Sequence, residues 1–157
     1  MKVLIIDDEA KARNLLEIII TDKCDEITEI YKAEDLESGL EIINKVVPEI
    51  VFLDIEMPKY SGLQILDFFE AKEVNFQIIF TTAYHQYAIN AFKLAAVDYL
   101  LKPINILELQ EAVEKAVALI QKQKFSNKLD DLKKTFQKLS LNTIALEIPK
   151  GILFASY

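Results

Sequence analysis

Four short apolar runs, each closed by charged or hydroxyl residues, constrain the fold of this chain more than any other feature. Val3–Ile6 stops at Asp7-Asp8, Ile50–Leu53 at Asp54, Phe76–Phe80 at Thr81-Thr82, and Asp98–Leu101 at Lys102-Pro103. Runs of this kind, apolar on both faces, fit strands buried in a parallel sheet. A further strand is expected around Ile27–Ala33. Between the runs the apolar spacing is helical: Ala12, Leu15, Leu16 and Ile19 form one stripe, and Leu36, Leu40 and Ile43 a second. Pro48 marks the break before the next strand. A third helix is expected over about residues 62–72, behind a loop punctuated by Met57-Pro58 and Ser61-Gly62. Tyr84, Ala88, Ala91 and Phe92 space a fourth. Asn105 can cap a fifth that runs through Glu108, Ala112, Val113, Ala116, Val117 and Ile120. Strands alternating with helices predict an α/β fold, an open parallel sheet covered on both faces with right-handed crossovers. Its functional crevice should lie at the carboxyl ends of the strands.

The totals agree with a globular domain. Of the 157 residues, 52% are hydrophobic and 27% charged, enough for a sizeable core. No apolar run approaches the roughly 18–20 residues of a membrane span, and no secretory leader is apparent. The single cysteine, Cys24, excludes an internal disulfide framework and fits a reducing cytoplasm. The net charge of −7 is uneven: residues 115–157 hold eight lysines against three acids, and the remainder 10 basic against 22 acidic residues. An acidic globule followed by a basic tail points to a boundary near the start of that tail. The acidic part is a poor surface for nucleic acid, whose phosphates it would repel.

The strand ends carry the chemistry. If the first, third, fourth and fifth strands are neighbours, Asp7, Asp8 and Asp54 converge with Thr82 and Lys102 on one edge. Like charges crowded together call for a cation, and hard oxygen ligands with open water positions suit Mg²⁺. A carboxylate beside such an ion can attack phosphorus in line, with the hydroxyl and ammonium holding phosphoryl oxygens. Singly, each residue is ordinary: Asp-Asp after a strand is usually a helix cap, a strand-end Thr a turn residue, and Lys-Pro a loop. The joint placement is what points to function.

Ile6-Asp7-Asp8-Glu9, Leu53-Asp54-Ile55-Glu56-Met57-Pro58 with Gly62 behind it, Thr82-Ala83, and Asp98-Tyr99-Leu100-Leu101-Lys102-Pro103 together resemble the receiver domain of two-component response regulators. The resemblance covers about residues 1–122. It implies a flavodoxin-like (βα)5 doubly wound sheet of strand order 2-1-3-4-5. It also implies that Asp54 is the phosphoacceptor, and that Asp7, Asp8, Asp54 and the backbone carbonyl of Glu56 hold Mg²⁺. In that scheme Asp8 is the direct ligand and Asp7 acts through water. Thr82 and Lys102 would contact the phosphoryl group, with Lys102–Pro103 cis. Small Ala83 would leave room beside it. Thr82 and Tyr99 would form the switch, the ring turning into space that Thr82 vacates. Glu56 and Tyr84 fall where the family tunes loss of phosphate, and a bulky Tyr84 would obstruct water and prolong the phosphorylated state; alternatively Tyr84 merely packs on the fourth helix. His85 reads as a surface residue at a helix start.

The stretch from Thr81-Thr82-Ala83-Tyr84-His85-Gln86-Tyr87 to Lys102-Pro103 resembles receivers attached to LytTR-type DNA-binding domains, with Ala95-Ala96 where winged-helix regulators carry a glycine-rich stretch. Phe125, Leu129, Leu132, Phe136 and Leu139, spaced 4, 3, 4, 3, form a heptad seam in a helical linker over 123–140. The seam is either a short coiled coil between protomers or one face of a packed helix. Residues 142–148 and 152–157 alternate like strands around Pro149-Lys150-Gly151, so 141–157 is expected to begin a truncated output domain with a β-hairpin.

The expected partners are a sensor histidine kinase, Mg²⁺ and a second copy of the chain. The copies would meet through the fourth-helix, fifth-strand, fifth-helix face and the linker. DNA would be reached only through the missing output domain, and no membrane is involved. Self-phosphotransfer and autodephosphorylation would be the only chemistry, so no turnover enzyme is expected. Two other readings stand beside this one. One is a stand-alone protein-interaction module, phospho-dependent or with its phosphorylation vestigial; the vestigial form predicts loss of part of the acid, Thr and Lys set, all of which is present. A phosphate- or flavin-handling enzyme on the same fold would want a phosphate loop after the first strand, and none of the three glycines lies there.

Overall fold

The structure, a computed structural model, describes residues 1–70 and 73–146. The chain divides into two units, Met1–Ala118 and Leu119–Tyr157. In the first, β1 (Lys2–Ile6), β2 (Glu29–Ala33), β3 (Ile50–Asp54), β4 (Gln77–Thr82) and β5 (Asp98–Leu101) form one parallel sheet in the order β2-β1-β3-β4-β5. This is the expected doubly wound topology. The central strands explain why their sequences do not alternate: Val3–Ile6 and Ile50–Leu53 are sealed on both faces. The edge strands β2 and β5 keep more exposed positions.

The helices bury narrower faces than their spacing promised. In α1 (Ala10–Lys23) the inward residues are Leu16, Ile19 and Ile20, whereas Leu15 is exposed. In α2 (Leu36–Val46) Leu36, Gly39 and Ile43 are buried, and Asp35 caps the helix by accepting from the Ser38 N–H at 2.8 Å. The expected third helix is a 3₁₀ segment, Gly62–Phe68, opened by Ser61 and Gln64 in a capping-box arrangement. Phe69 is already extended, so the segment is seven residues long, longer than most 3₁₀ runs. The fourth is shorter than expected: Tyr84 precedes a 3₁₀ turn, His85–Tyr87, and α3 covers Ala88–Lys93. Only Ala91 of α3 is buried, and Phe92, expected to face inward, is 72% exposed.

The last helix, α4 (Ile106–Leu146), starts as expected, with the Asn105 side chain accepting from the Glu108 N–H at 3.0 Å. Leu109, Ala112, Val113, Ala116 and Val117 are its buried residues in the first unit. In the second unit the helix reaches Leu146, so residues 142–146 are not the strand that their alternation predicted. No Gly or Pro lies between Pro103 and Pro149, so the sequence offers nothing to stop the helix. The remainder of the expected hairpin lies outside the described residues. Phe125, Leu129, Leu132, Phe136 and Leu139 are 40–68% exposed along this stretch. Among the described residues, no helix is long and apolar enough to cross a membrane.

Candidate functional site

Because β1, β3, β4 and β5 lie side by side, the polar residues that close them meet at one edge. Ile6 pairs with Leu53, Asp54 with Thr81, and Thr82 with Leu101, so the register sets Asp7 and Asp8 next to Asp54. Carboxylate oxygens of Asp7, Asp8 and Asp54 all lie within 4.8 Å of one another. Asp7 is sealed from solvent, Asp54 is 5% exposed and Asp8 is open. The Lys102 ammonium donates to Asp7 Oδ2 at 2.7 Å and to Asp54 Oδ2 at 3.4 Å. Its own N–H donates to the Thr82 carbonyl at 2.7 Å, and the Lys102–Pro103 bond is cis as expected. All five strand-end residues named from the sequence are therefore brought together.

Gly62 explains how the loop after β3 stays tight against the site. A Cβ there would stand 2.1 Å from the Asp54 carbonyl oxygen, while its N–H donates to the Ile55 carbonyl at 2.8 Å. Only a residue without a side chain permits that approach.

The electrostatics follow from the crowding. Burial disfavours the charged form of Asp54 and, despite the opposing field of Lys102, its pKa is pushed up to about 7, with Asp7 adding to the rise. For Lys102, burial opposes the charge, but the hydrogen bond to Asp7 and the fields of Asp54 and Asp7 outweigh it and hold its pKa above the ordinary lysine value. One ammonium cannot neutralise three carboxylates. The surplus negative charge and the all-oxygen donor set fit a hard divalent cation.

The residues expected to form a switch lie beside this cluster. Thr82 is fully buried and its Oγ1 accepts from the Tyr84 N–H at 3.3 Å. The Tyr99 hydroxyl donates to the Tyr84 carbonyl. Glu56 is exposed, and its carboxylate accepts from the Tyr87 hydroxyl at 2.5 Å. Tyr84 is 43% exposed, with its ring edge-on to Tyr87 at 6.3 Å. His85 is exposed at the start of its turn.

Two contributors escaped the sequence reading. Arg13, the chain's sole arginine, donates to the Asp7 carbonyl at 2.6 Å, and the Glu9 N–H donates to Asp7 Oδ1 at 2.9 Å. Arg13's uniqueness, one helical turn past the acid pair, was an available signal. The Tyr87–Glu56 contact joins residues 31 apart and left no signal.

Comparison with known proteins gives a consistent result. A family model described as the response regulator receiver domain matches residues 3–114. The transcriptional regulatory protein BtsR of Escherichia coli is 36% identical over 124 residues, 79% of this chain and 49% of that protein. The sensory transduction protein LytT of Bacillus cereus is 32% identical over 158 residues, 99% of this chain and 62% of that protein. The similarity to LytT thus extends through the tail, in keeping with the LytTR-type resemblance. Among solved structures, the response regulator protein TrrA of Thermotoga maritima, in complex with Mg(2+)-BeF, superimposes with a TM-score of 0.65 and 35% identity, covering 73% of this chain and 97% of that one. The chain spans about half the length of the curated relatives it matches, 49–62% for these two. It belongs to the response regulator receiver domain family of two-component signalling systems.

Proposed function

We propose that the chain is a phosphorylation-driven switch in which Asp54 accepts a phosphoryl group from a sensor histidine kinase. One observation carries this reading: a buried carboxylate at the end of β3 shares its strand-end crevice with two more acids and an ammonium. Asp54 attacks the phosphorus of a phosphohistidine, the P–N bond breaks, and its electron pair stays with the imidazole. Asp7, Asp8, Asp54 and the Glu56 carbonyl would hold Mg²⁺, which supplies neutralisation of the carboxylates and of the transferred group. Lys102 provides positive charge to a phosphoryl oxygen, and the Thr82 hydroxyl a hydrogen bond. Movement of Thr82 toward the phosphate would break its contact with the Tyr84 N–H and free Tyr99 to turn.

The domain limits expected from the sequence, 1–122 for the receiver and 123–140 for the linker, fit this scheme. The exposed Ile89, Phe92 and Leu101, with Leu107 at the start of α4, give the activated form an apolar face on which to dimerise. The similarity to LytT and BtsR supports a cytoplasmic role in transcription, exerted through a LytTR-type DNA-binding domain.

Incubation with Mg²⁺ and beryllofluoride tests the assignment. Binding is expected in the wild-type chain and a shift from monomer to dimer on sizing. Undiminished binding by Asp54→Ala would sink the phosphoacceptor assignment, and an unchanged monomer would sink the dimer switch.

A further inference from the structure

The loop after β3 and the turn after β4 are joined at the mouth of the site by one side-chain pair, Glu56 and Tyr87. Both line an open groove of about 380 Å³ whose other walls are Ile55, Met57, Pro58 and Ser61. Asp7, Asp54, Thr82 and Lys102 are not part of that lining. The Glu56 carboxylate, only two residues beyond the phosphoacceptor, is thus held in a side groove by the tyrosine. The tyrosine is itself held. It packs against the buried core, its ring meets Tyr84 edge-on at an interplanar angle of 85°, and the Tyr84 carbonyl accepts from Tyr99.

We infer that Tyr87 is a positioning residue for loss of the phosphoryl group: by fastening the Glu56 carboxylate it withholds a proton acceptor from water at Asp54 and so prolongs the phosphorylated state. The inference rests on Asp54 being the phosphoacceptor. In hydrolysis a water oxygen bonds to phosphorus, the bond from phosphorus to the Asp54 oxygen breaks, and its electron pair returns to the carboxylate. The water proton must leave as the new bond forms, and a carboxylate within reach accelerates that step. A carboxylate whose rotation is fixed by a tyrosine hydroxyl on one of its oxygens is held to the side groove and away from that water. Glu56 keeps its backbone carbonyl whatever its side chain, so the metal shell is untouched by substitutions there. The slow hydrolysis expected from the bulk of Tyr84 thereby acquires a second cause, and Tyr84 acts in part by seating Tyr87.

The test uses the full chain, phosphorylated with acetyl phosphate and Mg²⁺, freed of donor, and followed by intact mass as the aspartyl phosphate decays. Tyr87→Phe keeps the ring and its packing while removing the hydroxyl. It should shorten the lifetime about fivefold, the equivalent of one net hydrogen bond. In a Glu56→Gln background, where no carboxylate can be released, Tyr87→Phe should change nothing. A purely structural role would shorten the lifetime in both backgrounds alike and lower the melting temperature as well. An unchanged or longer lifetime in Tyr87→Phe, or equal shortening in the Glu56→Gln background, would overturn the inference and leave the phosphoacceptor in place. Failure of wild type to take the phosphoryl group on Asp54 would overturn both.

Discussion

Replacing Asp54 with asparagine should make the metal-free protein more stable, by an amount that depends on pH. The carboxyl is 5% exposed, and burial lifts its pKa from the usual 3.8 to about 7. An acid whose folded pKa exceeds its unfolded value supports the fold only in its neutral form. That contribution is complete below pH about 4, declines as pH rises, and is gone above pH about 7. Asparagine imitates the neutral acid at every pH. The two proteins should therefore unfold alike near pH 4, and the variant should gain progressively above it. A difference of about three pKa units corresponds to roughly 4 kcal/mol at pH 8. Urea unfolding in the presence of a chelator measures this directly, and at 1–3 kcal/mol per molar the midpoint should move by about 2 M. Mg²⁺ should narrow the gap by stabilising the wild type, by about 2.7 kcal/mol at a hundredfold excess over its dissociation constant. A gain that stays constant between pH 5 and 8, or a wild type more stable than Asp54→Asn at pH 8, would refute the reasoning.

Other perturbations probe the frame around the site. Gly62→Ala places a methyl 2.1 Å from the Asp54 carbonyl oxygen and 2.9 Å from Leu53 Cγ. It should cost about 1–3 kcal/mol in a thermal melt and weaken beryllofluoride binding, since the loop must retreat. Thr81 buries a hydroxyl that has no hydrogen-bond partner among the described residues, so the isosteric Thr81→Val should raise stability by about 1 kcal/mol in urea unfolding; a loss would show that the hydroxyl is satisfied. Ala95, just past the Leu94 cap of α3, has a left-handed φ of 56°, with the Ala96 N–H reaching back to the Ala91 carbonyl at 3.2 Å. Ala95→Gly should relieve that conformation and raise the melting midpoint by the equivalent of about 1 kcal/mol.

The sheet and the strand-end site were legible for the same physical reason. A strand buried on both faces must be apolar throughout, so an acid or hydroxyl at its end stands out against the run. Asp7, Asp54 and Thr82 are such residues, and parallel topology then forces them onto one edge. Helical spacing says less: it reports that a face is apolar, not that another element covers it. Leu15 and Phe92 lie in apolar stripes, yet both face outward. Likewise, alternation over 142–146 did not specify a strand, because pairing needs a neighbour, whereas helical bonds are satisfied within the segment itself. The apolar spacing of Gly62–Phe68 did not separate 3₁₀ from α bonding, since both bury residues three apart. Contacts such as Tyr87 with Glu56 depend on two loops meeting across the mouth, which no local pattern encodes.

The reach of Lys102 has a consequence for when the site is completed. Its ammonium bonds to Asp7, 95 residues earlier, and to Asp54, 48 residues earlier. A nascent chain that has emerged only through β4 holds all three acids and Thr82 but lacks the cation that offsets them. Long-range closures of this kind come late in folding, because their loops must be ordered before the contact repays the cost. The strand-end cluster is therefore charge-balanced by its own lysine only once β5 has docked, so the last strand to be made is the one that completes the site.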